Sequence, residues 1–207
     1  MYSGFKVIDG DGHMYEPADL WDKYVEKEFY DKRPIIDKVI ERSLLTYKTT
    51  DSIPGDQFAG ALRAKTLTQD IPIRFTNGYN KWWSVESRIE DMDRVGWDLQ
   101  VCLPTNGQIA MTVSFTDVQL GAALARAYNN WAYDFCANHP DRLKFVSIVP
   151  GGSIEEFVRE ARRSVQELGA VSLQMPQPVP GTWWHQAEYD PLWEAASDLD
   201  FPLSLHG

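Results

Sequence analysis

The second half of the chain alternates short apolar runs with stretches of helical period. Leu99-Gln100-Val101-Cys102-Leu103-Pro104 is a buried-strand pattern stopped by proline. Before it, Ser84 to Val95 reads as a helix closed by Gly96, the residue expected just past a helix end. After it, a helix of about Asp117 to Asn138 repeats Leu120, Leu124, Ala127, Trp131 and Phe135 at helical spacing, with Thr116 and Gln119 as a capping box and Pro140 as the stop. Leu143 to Val149 is the next strand, ended by Pro150. Ser153 and Glu156 form a second capping box, opening a helix that carries Ile154, Phe157, Val158, Ala161, Val165 and Leu168 on one face and closes at Gly169. Ala170 to Met175 is a further strand, followed by a loop through Pro176, Pro178 and Pro180. Asp190-Pro191 reads as an N-cap with proline at the first helical position, and that helix buries Leu192, Ala195, Ala196 and Leu199. Phe201 to Leu205 is the last strand, and His206-Gly207 follow it.

Near the N-terminus, Phe5-Lys6-Val7-Ile8 is the expected first strand. Residues about 26 to 80 are less regular and read as an excursion between the first and second strands, a lid or an oligomer contact; a connection this long should carry some helix of its own. A chain of 207 residues is long enough for one domain with a sizeable core, and length gives no reason for two. Strand–helix alternation implies a parallel sheet with right-handed crossovers. Five such strands fit an open, flavodoxin-like doubly wound sheet or part of a closed barrel, and periodicity does not choose between them.

Composition removes several function classes. The net charge of −10 repels phosphate backbones, and no cluster of Lys and Arg forms a basic stripe, so nucleic-acid binding is not expected. No apolar run approaches the roughly 20 residues of a membrane span, and the opening residues lack the apolar core of a signal peptide. Cys102 and Cys136 fall on a strand and a helix, as buried fillers without a nucleophile's partner pattern; two unrelated thiols suit a reducing cytoplasm. With 8 Trp, some indoles are expected at core edges or along a cleft, where their N–H groups find partners. A nucleophile elbow, a phosphate loop and a dinucleotide fingerprint are all absent from the sequence.

The sharpest chemical feature is Asp9-Gly10-Asp11-Gly12-His13, directly after the first apolar run. Alternation along a strand sends Asp11 and His13 to one side, where a carboxylate and an imidazole can share a divalent ion, with the glycines allowing close approach. The plain alternative is a turn in which Asp11 caps backbone amides. His206 follows the fifth strand at its carboxyl end, where barrel active sites are built; taken alone, it reads sooner as a core histidine satisfied by the backbone. Trp183-Trp184-His185 lie in the loop after the fourth strand, as an aromatic wall for substrate or a cover for the barrel mouth. His139, before a proline at a helix end, is read as structural, and Trp82-Trp83 as packing of the excursion.

Ile8-Asp9-Gly10-Asp11-Gly12-His13 followed by Glu16-Pro17 and Leu20-Trp21 resembles the opening of the amidohydrolase-related branch that includes aminocarboxymuconate-semialdehyde decarboxylase. Arg88 to Pro104, Tyr128-Asn129-Asn130-Trp131, His139-Pro140-Asp141-Arg142-Leu143 and Tyr189-Asp190-Pro191-Leu192-Trp193 through His206 are similar to later segments of that family, in order. The resemblance covers most of the chain outside residues 26 to 80. It implies a metal-dependent (β/α)₈ TIM barrel, here incomplete, with the first five strands and a divalent ion, zinc or manganese, as cofactor. Family members usually open with His-x-His; here Asp11 and His13 hold those two places, and His206 matches the fifth-strand ligand. An added carboxylate suits harder ions such as Mn²⁺ as well as Zn²⁺. Glu16 matches a recurrent position, in support of the ligands or as a charge at a helix N-terminus. The family's catalytic residues, a sixth-strand histidine and an aspartate after the eighth strand, are expected beyond Gly207.

What the resemblance implies is a carboxy-lyase or a hydrolase acting on a small carboxylated or carbonyl-bearing molecule, with the carboxy-lyase slightly favoured and a homo-oligomer allowed. In the hydrolase version, a bound water's pKa falls towards about 7. The contrasting reading is an inactive truncated fragment or an assembly partner. Five strands without three more leave two open edges, and on that reading the isolated chain binds metal weakly or aggregates.

Overall fold

The computed structural model describes residues 3–40, 44–48, 78 and 81–206. In chain order the elements are β1 (Ile8–His13), α1 (Leu20–Tyr24), a 3-10 helix (Lys27–Lys32), β2 (Ile36–Ile40), β3 (Leu44–Tyr47), α2 (Val85–Val95), β4 (Leu99–Leu103), α3 (Ile109–Val113), α4 (Val118–Ala137), β5 (Leu143–Ile148), α5 (Ile154–Gln166), β6 (Ser172–Gln174), a second 3-10 helix (Ala187–Tyr189), α6 (Asp190–Asp198) and β7 (Leu203–Ser204). Five strands form one parallel sheet in the order β1-β4-β5-β6-β7, and β2 pairs with β3 antiparallel in a separate two-stranded sheet. The main sheet therefore follows sequence order without the reversal that defines a flavodoxin-like sheet.

The sheet is curled. Four strand spacings of about 4.8 Å would hold β1 and β7 about 19 Å apart in a flat sheet. Instead His206, two residues beyond β7, reaches Asp11 on β1 at 3.0 Å. Curvature of that size is what a partial (β/α)₈ barrel requires.

The first strand begins later than the apolar run suggests. Phe5 is 75% exposed, and pairing with β4 starts only at Ile8 opposite Leu99. The carbonyl of Val7 still accepts from the amides of Asp98 and Leu99, which anchors the run without extending the strand. The Asp-Gly-Asp-Gly-His motif thus lies inside β1 rather than after it. Asp9 pairs with Gln100 and Gly12 with Cys102, so three steps on β1 match two on β4. This extra residue is a β-bulge, and it resets the alternation of side chains. Asp9 accepts from the Gln100 amide at 2.6 Å, while Asp11 lies 3.0 Å from His206 Nε2.

Helix ends follow local chemistry, with two departures from expectation. Ser84 accepts from the amide of Ser87 at the start of α2, and Gly96 closes it at φ 83°, in the left-handed region. Ser153 caps α5 by accepting from the amide of Glu156. For α4 the cap is Asp117 rather than Thr116: Asp117 Oδ1 accepts from the amide of Leu120, whereas the Thr116 hydroxyl donates back to the Val113 carbonyl. For α6, Asp190 is the first helical residue rather than the cap, because the 3-10 helix before it already brings Tyr189 into helical geometry.

Two core clusters hold the layers together. Leu120, Leu124, Tyr128 and Trp131 of α4 pack with Leu20 and Trp21 of α1, Met92 of α2 and Leu143 and Phe145 of β5. Val149, Phe157, Leu173, Tyr189 and Leu192 form the second, between β5, β6, α5 and α6. Each fully buried leucine contributes about 1.5–3 kcal/mol relative to an exposed one. Cys102 and Cys136 are free and buried, as expected of fillers. Of the excursion, the described part holds one 3-10 helix and the β2–β3 pair; most of residues 49–80 lies outside the described residues. Among the described residues no helix is long and apolar enough to cross a membrane.

Candidate metal centre

Asp11, His13 and His206 converge from the two edge strands of the sheet. His206 Nε2 lies 3.0 Å from Asp11 Oδ1, and His13 Nε2 lies 3.7 Å from the same oxygen. These separations bracket the about 3.4 Å expected between tetrahedral ligands bonded at about 2.1 Å to one ion. The imidazole rings are 5.0 Å apart, tilted by 55°. All three donor atoms lie within 4.8 Å of one another. One carboxylate oxygen and two imidazole nitrogens form a donor set that suits a borderline or hard divalent ion. Asp11 is 69% exposed, against 33% and 26% for the histidine side chains, so the carboxylate is the open side of the cluster.

His13 is oriented by the loop after β4: its Nδ1 is 3.1 Å from Thr105 Oγ1, leaving Nε2 to face Asp11. Burial lowers the pKa of His13, and the charge of His206 adds to this; Asp11 and the Pro104 carbonyl act in the opposite sense. The ring is accordingly held neutral near pH 7, the form that can ligate a metal.

Glu16 lies fully inside. Its carboxylate accepts from the amides of Thr105 (3.0 Å), Asn106 (2.8 Å) and Gly107 (2.9 Å), and from Asn106 Nδ2 (3.1 Å). Burial pushes its pKa up, against the pull of the backbone donors. It therefore fastens the loop that carries Thr105, and its own oxygens are occupied by that loop.

Several side chains at the centre carry no sequence signal of their own. Arg88 of α2 donates to the His13 carbonyl and to Gln100 Oε1, both at 2.6 Å. Trp83 meets Tyr15 with ring centroids 5.0 Å apart, and it also packs on the excursion, where its amide donates to the Gly78 carbonyl at 2.7 Å. With Asp11, His13 and Arg88, these two rings line a cavity of about 230 Å³. Thr105 is the exception, since its place just past a strand's carboxyl end marks it by the barrel rule.

The loop after β6 divides its aromatic residues. Trp184 turns inward, edge-on to Tyr189 at 4.7 Å and to Trp193 at 6.3 Å. Trp183 is 66% exposed and His185 is exposed beside it. His139 sits at the end of α4, where its carbonyl accepts from the amides of Arg142 and Leu143.

The profile of the family described as Amidohydrolase matches residues 8–207. The decarboxylase orsB of Emericella nidulans is 29% identical over 123 residues, which are 58% of this chain and 34% of that protein. The amidohydrolase map2389c of Mycobacterium avium subsp. paratuberculosis superposes with a TM-score of 0.71 at 20% identity, over 99% of this chain and 59% of that one. The 5-carboxyvanillate decarboxylase of Novosphingobium aromaticivorans, complexed with manganese and 4-hydroxy-3-methoxy-5-nitrobenzoic acid, superposes with a TM-score of 0.64 at 22% identity, over 99% of this chain and 51% of that one. The chain thus spans about a third of the curated relative and half to three-fifths of these solved structures. At these identities the two structures show a shared fold.

Proposed function

Because the chain belongs to the amidohydrolase family, we propose that Asp11, His13 and His206 hold a divalent cation, manganese or zinc, in a carboxy-lyase that acts on a small carboxylated molecule. The observation that carries this reading is the meeting of three donor atoms from opposite edges of the sheet at one solvent-open point. A core histidine satisfied by its backbone would have no reason to approach an exposed carboxylate 195 residues away at 3.0 Å. Asp11 supplies a hard oxygen on the open side, and His13 supplies a neutral nitrogen fixed by Thr105. A cation bound by this set supplies positive charge to the oxygens of a substrate carboxylate or carbonyl.

Support for decarboxylation over hydrolysis comes from the relatives: one is a decarboxylase by sequence, and another is a decarboxylase by fold that binds manganese and a hydroxylated nitrobenzoate. On this reading the substrate is an aromatic carboxylate, with Trp183 and His185 available on the loop after β6, at the carboxyl end where the donors lie. Glu16 acts behind the ligands, through the loop it fastens.

The test is Mn²⁺ titration of the purified chain by calorimetry, with CO₂ release assayed on hydroxylated benzoates. The expected result is saturable Mn²⁺ binding that weakens at least tenfold in Asp11→Asn and His206→Ala. Binding that is unchanged in both variants overturns the ligand assignment. Turnover of an ester or amide without CO₂ release transfers the same site to the hydrolase reading.

A further inference from the structure

Glu16 and His13 both engage one residue, Thr105. Thr105 gives its amide to Glu16 Oε1 at 3.0 Å and places its hydroxyl oxygen 3.1 Å from His13 Nδ1. The loop around it is held firmly, because Asn106 and Gly107 donate to the same buried carboxylate. Gly107 is fitted to this clasp: a β-carbon there would lie 2.3 Å from the Tyr128 ring and 3.1 Å from Glu16 Oε1. The main chain of Thr105 is therefore held in place beside His13.

A neutral imidazole has one protonated nitrogen, and the partner of one nitrogen sets the state of the other. His13 Nε2 faces Asp11 Oδ1 at 3.7 Å, beyond hydrogen-bond range. A proton on Nε2 would find no good acceptor in that oxygen, whereas a proton on Nδ1 meets an acceptor in Thr105 Oγ1; the hydroxyl could also donate to a bare Nδ1, so the poor acceptor at Nε2 decides between the two tautomers. We propose that Thr105, clasped by Glu16, is a positioning residue that fixes His13 as the Nδ1–H tautomer and presents the Nε2 lone pair to the space shared with Asp11 and His206. The consequence for metal binding rests on the cation reading above; the tautomer itself does not.

The experiment uses the full chain labelled with ¹⁵N in its histidine rings, at pH 8 and without metal, with long-range ¹H–¹⁵N correlations assigned through His13→Gln. Wild type is expected to show the Nδ1–H pattern for His13. Thr105→Val, which keeps the shape and removes the acceptor, should yield a mixture of tautomers, and Thr105→Ser should restore the wild-type pattern. Calorimetric Mn²⁺ affinity should follow the same order, falling about tenfold in Thr105→Val and recovering in Thr105→Ser, as supporting partners of metal ligands typically do. An unchanged tautomer in Thr105→Val overturns the proposal, since the Pro104 carbonyl or the fold would then suffice. Failure of Thr105→Ser to restore the pattern also overturns it, because bulk rather than the hydroxyl would be at work. If wild type shows the Nδ1–H pattern and no Mn²⁺ binding, the cation reading falls and the positioning of His13 stands.

Discussion

Arg88 and His13 are joined by a 2.6 Å hydrogen bond from the guanidinium to the backbone carbonyl of the last residue of β1. The other arm of Arg88 holds Gln100, and Gln100 in turn holds Asp9 at 2.6 Å, so one cation braces β1 on both sides of its bulge. Arg88→Met should cost about 2 kcal/mol, the typical scale for losing hydrogen bonds to a charged group. Urea unfolding measures it. Arg88→Lys should recover only part, since an ammonium cannot span two acceptors as a planar fork does.

Gly12 is required by the same brace. A β-carbon there would lie 2.3 Å from Gln100 Cδ, on a side chain already pinned at both ends. Gly12→Ala should therefore destabilise by about 1–3 kcal/mol, the range for overpacking. Gln100→Ala in the Gly12→Ala background should relieve part of the loss if the collision is the cause, and a double-mutant cycle reads the coupling.

Glu16 makes stability depend on pH in a direction opposite to most carboxylates. Its folded pKa is raised above the ordinary 4.5 by burial. Between the ordinary value and the raised one, the folded chain holds a proton that the unfolded chain has lost, so stability falls as pH rises through this window. The unfolding free energy of wild type minus that of Glu16→Gln should decline from pH 4.5 upward and level off above the folded pKa. A rising difference across that window would contradict the assignment.

Asp117 caps α4 with one carboxylate oxygen and accepts from Lys32 Nζ with the other, an exposed pair of small worth. Asp117→Ala should cost about 1 kcal/mol by leaving the Leu120 amide without its side-chain acceptor. Thr116→Ala should cost less, because the Thr116 hydroxyl serves a carbonyl of the preceding turn. Thermal unfolding of the pair distinguishes the two residues.

The order of strands and helices was legible because each βα unit carries its own punctuation: Pro104, Gly96, Ser153 and Gly169 mark ends by local sterics and hydrogen bonding alone. The trio Asp11, His13 and His206 could be picked out from the strand-end rule together with the family resemblance. What escaped depends on partners distant in sequence. The bulge in β1 exists only against β4, so no count along residues 5–13 reveals it. Arg88 reaches β1 across 75 residues, which helical periodicity does not encode. Trp184 was indistinguishable from Trp183 until Tyr189 and Trp193 supplied the rings it packs against.

The curl of the sheet also has a kinetic consequence. Each strand pairs with one that precedes or follows it in the ladder, whereas Asp11 and His206 are 195 residues apart and meet only when four successive pairings have bent the sheet. Contacts of such long range carry the largest loop-closure entropy and are rewarded late. The approach of His206 to Asp11 should thus be among the last native events in refolding, and a spectroscopic probe on that pair would time the completion of the fold.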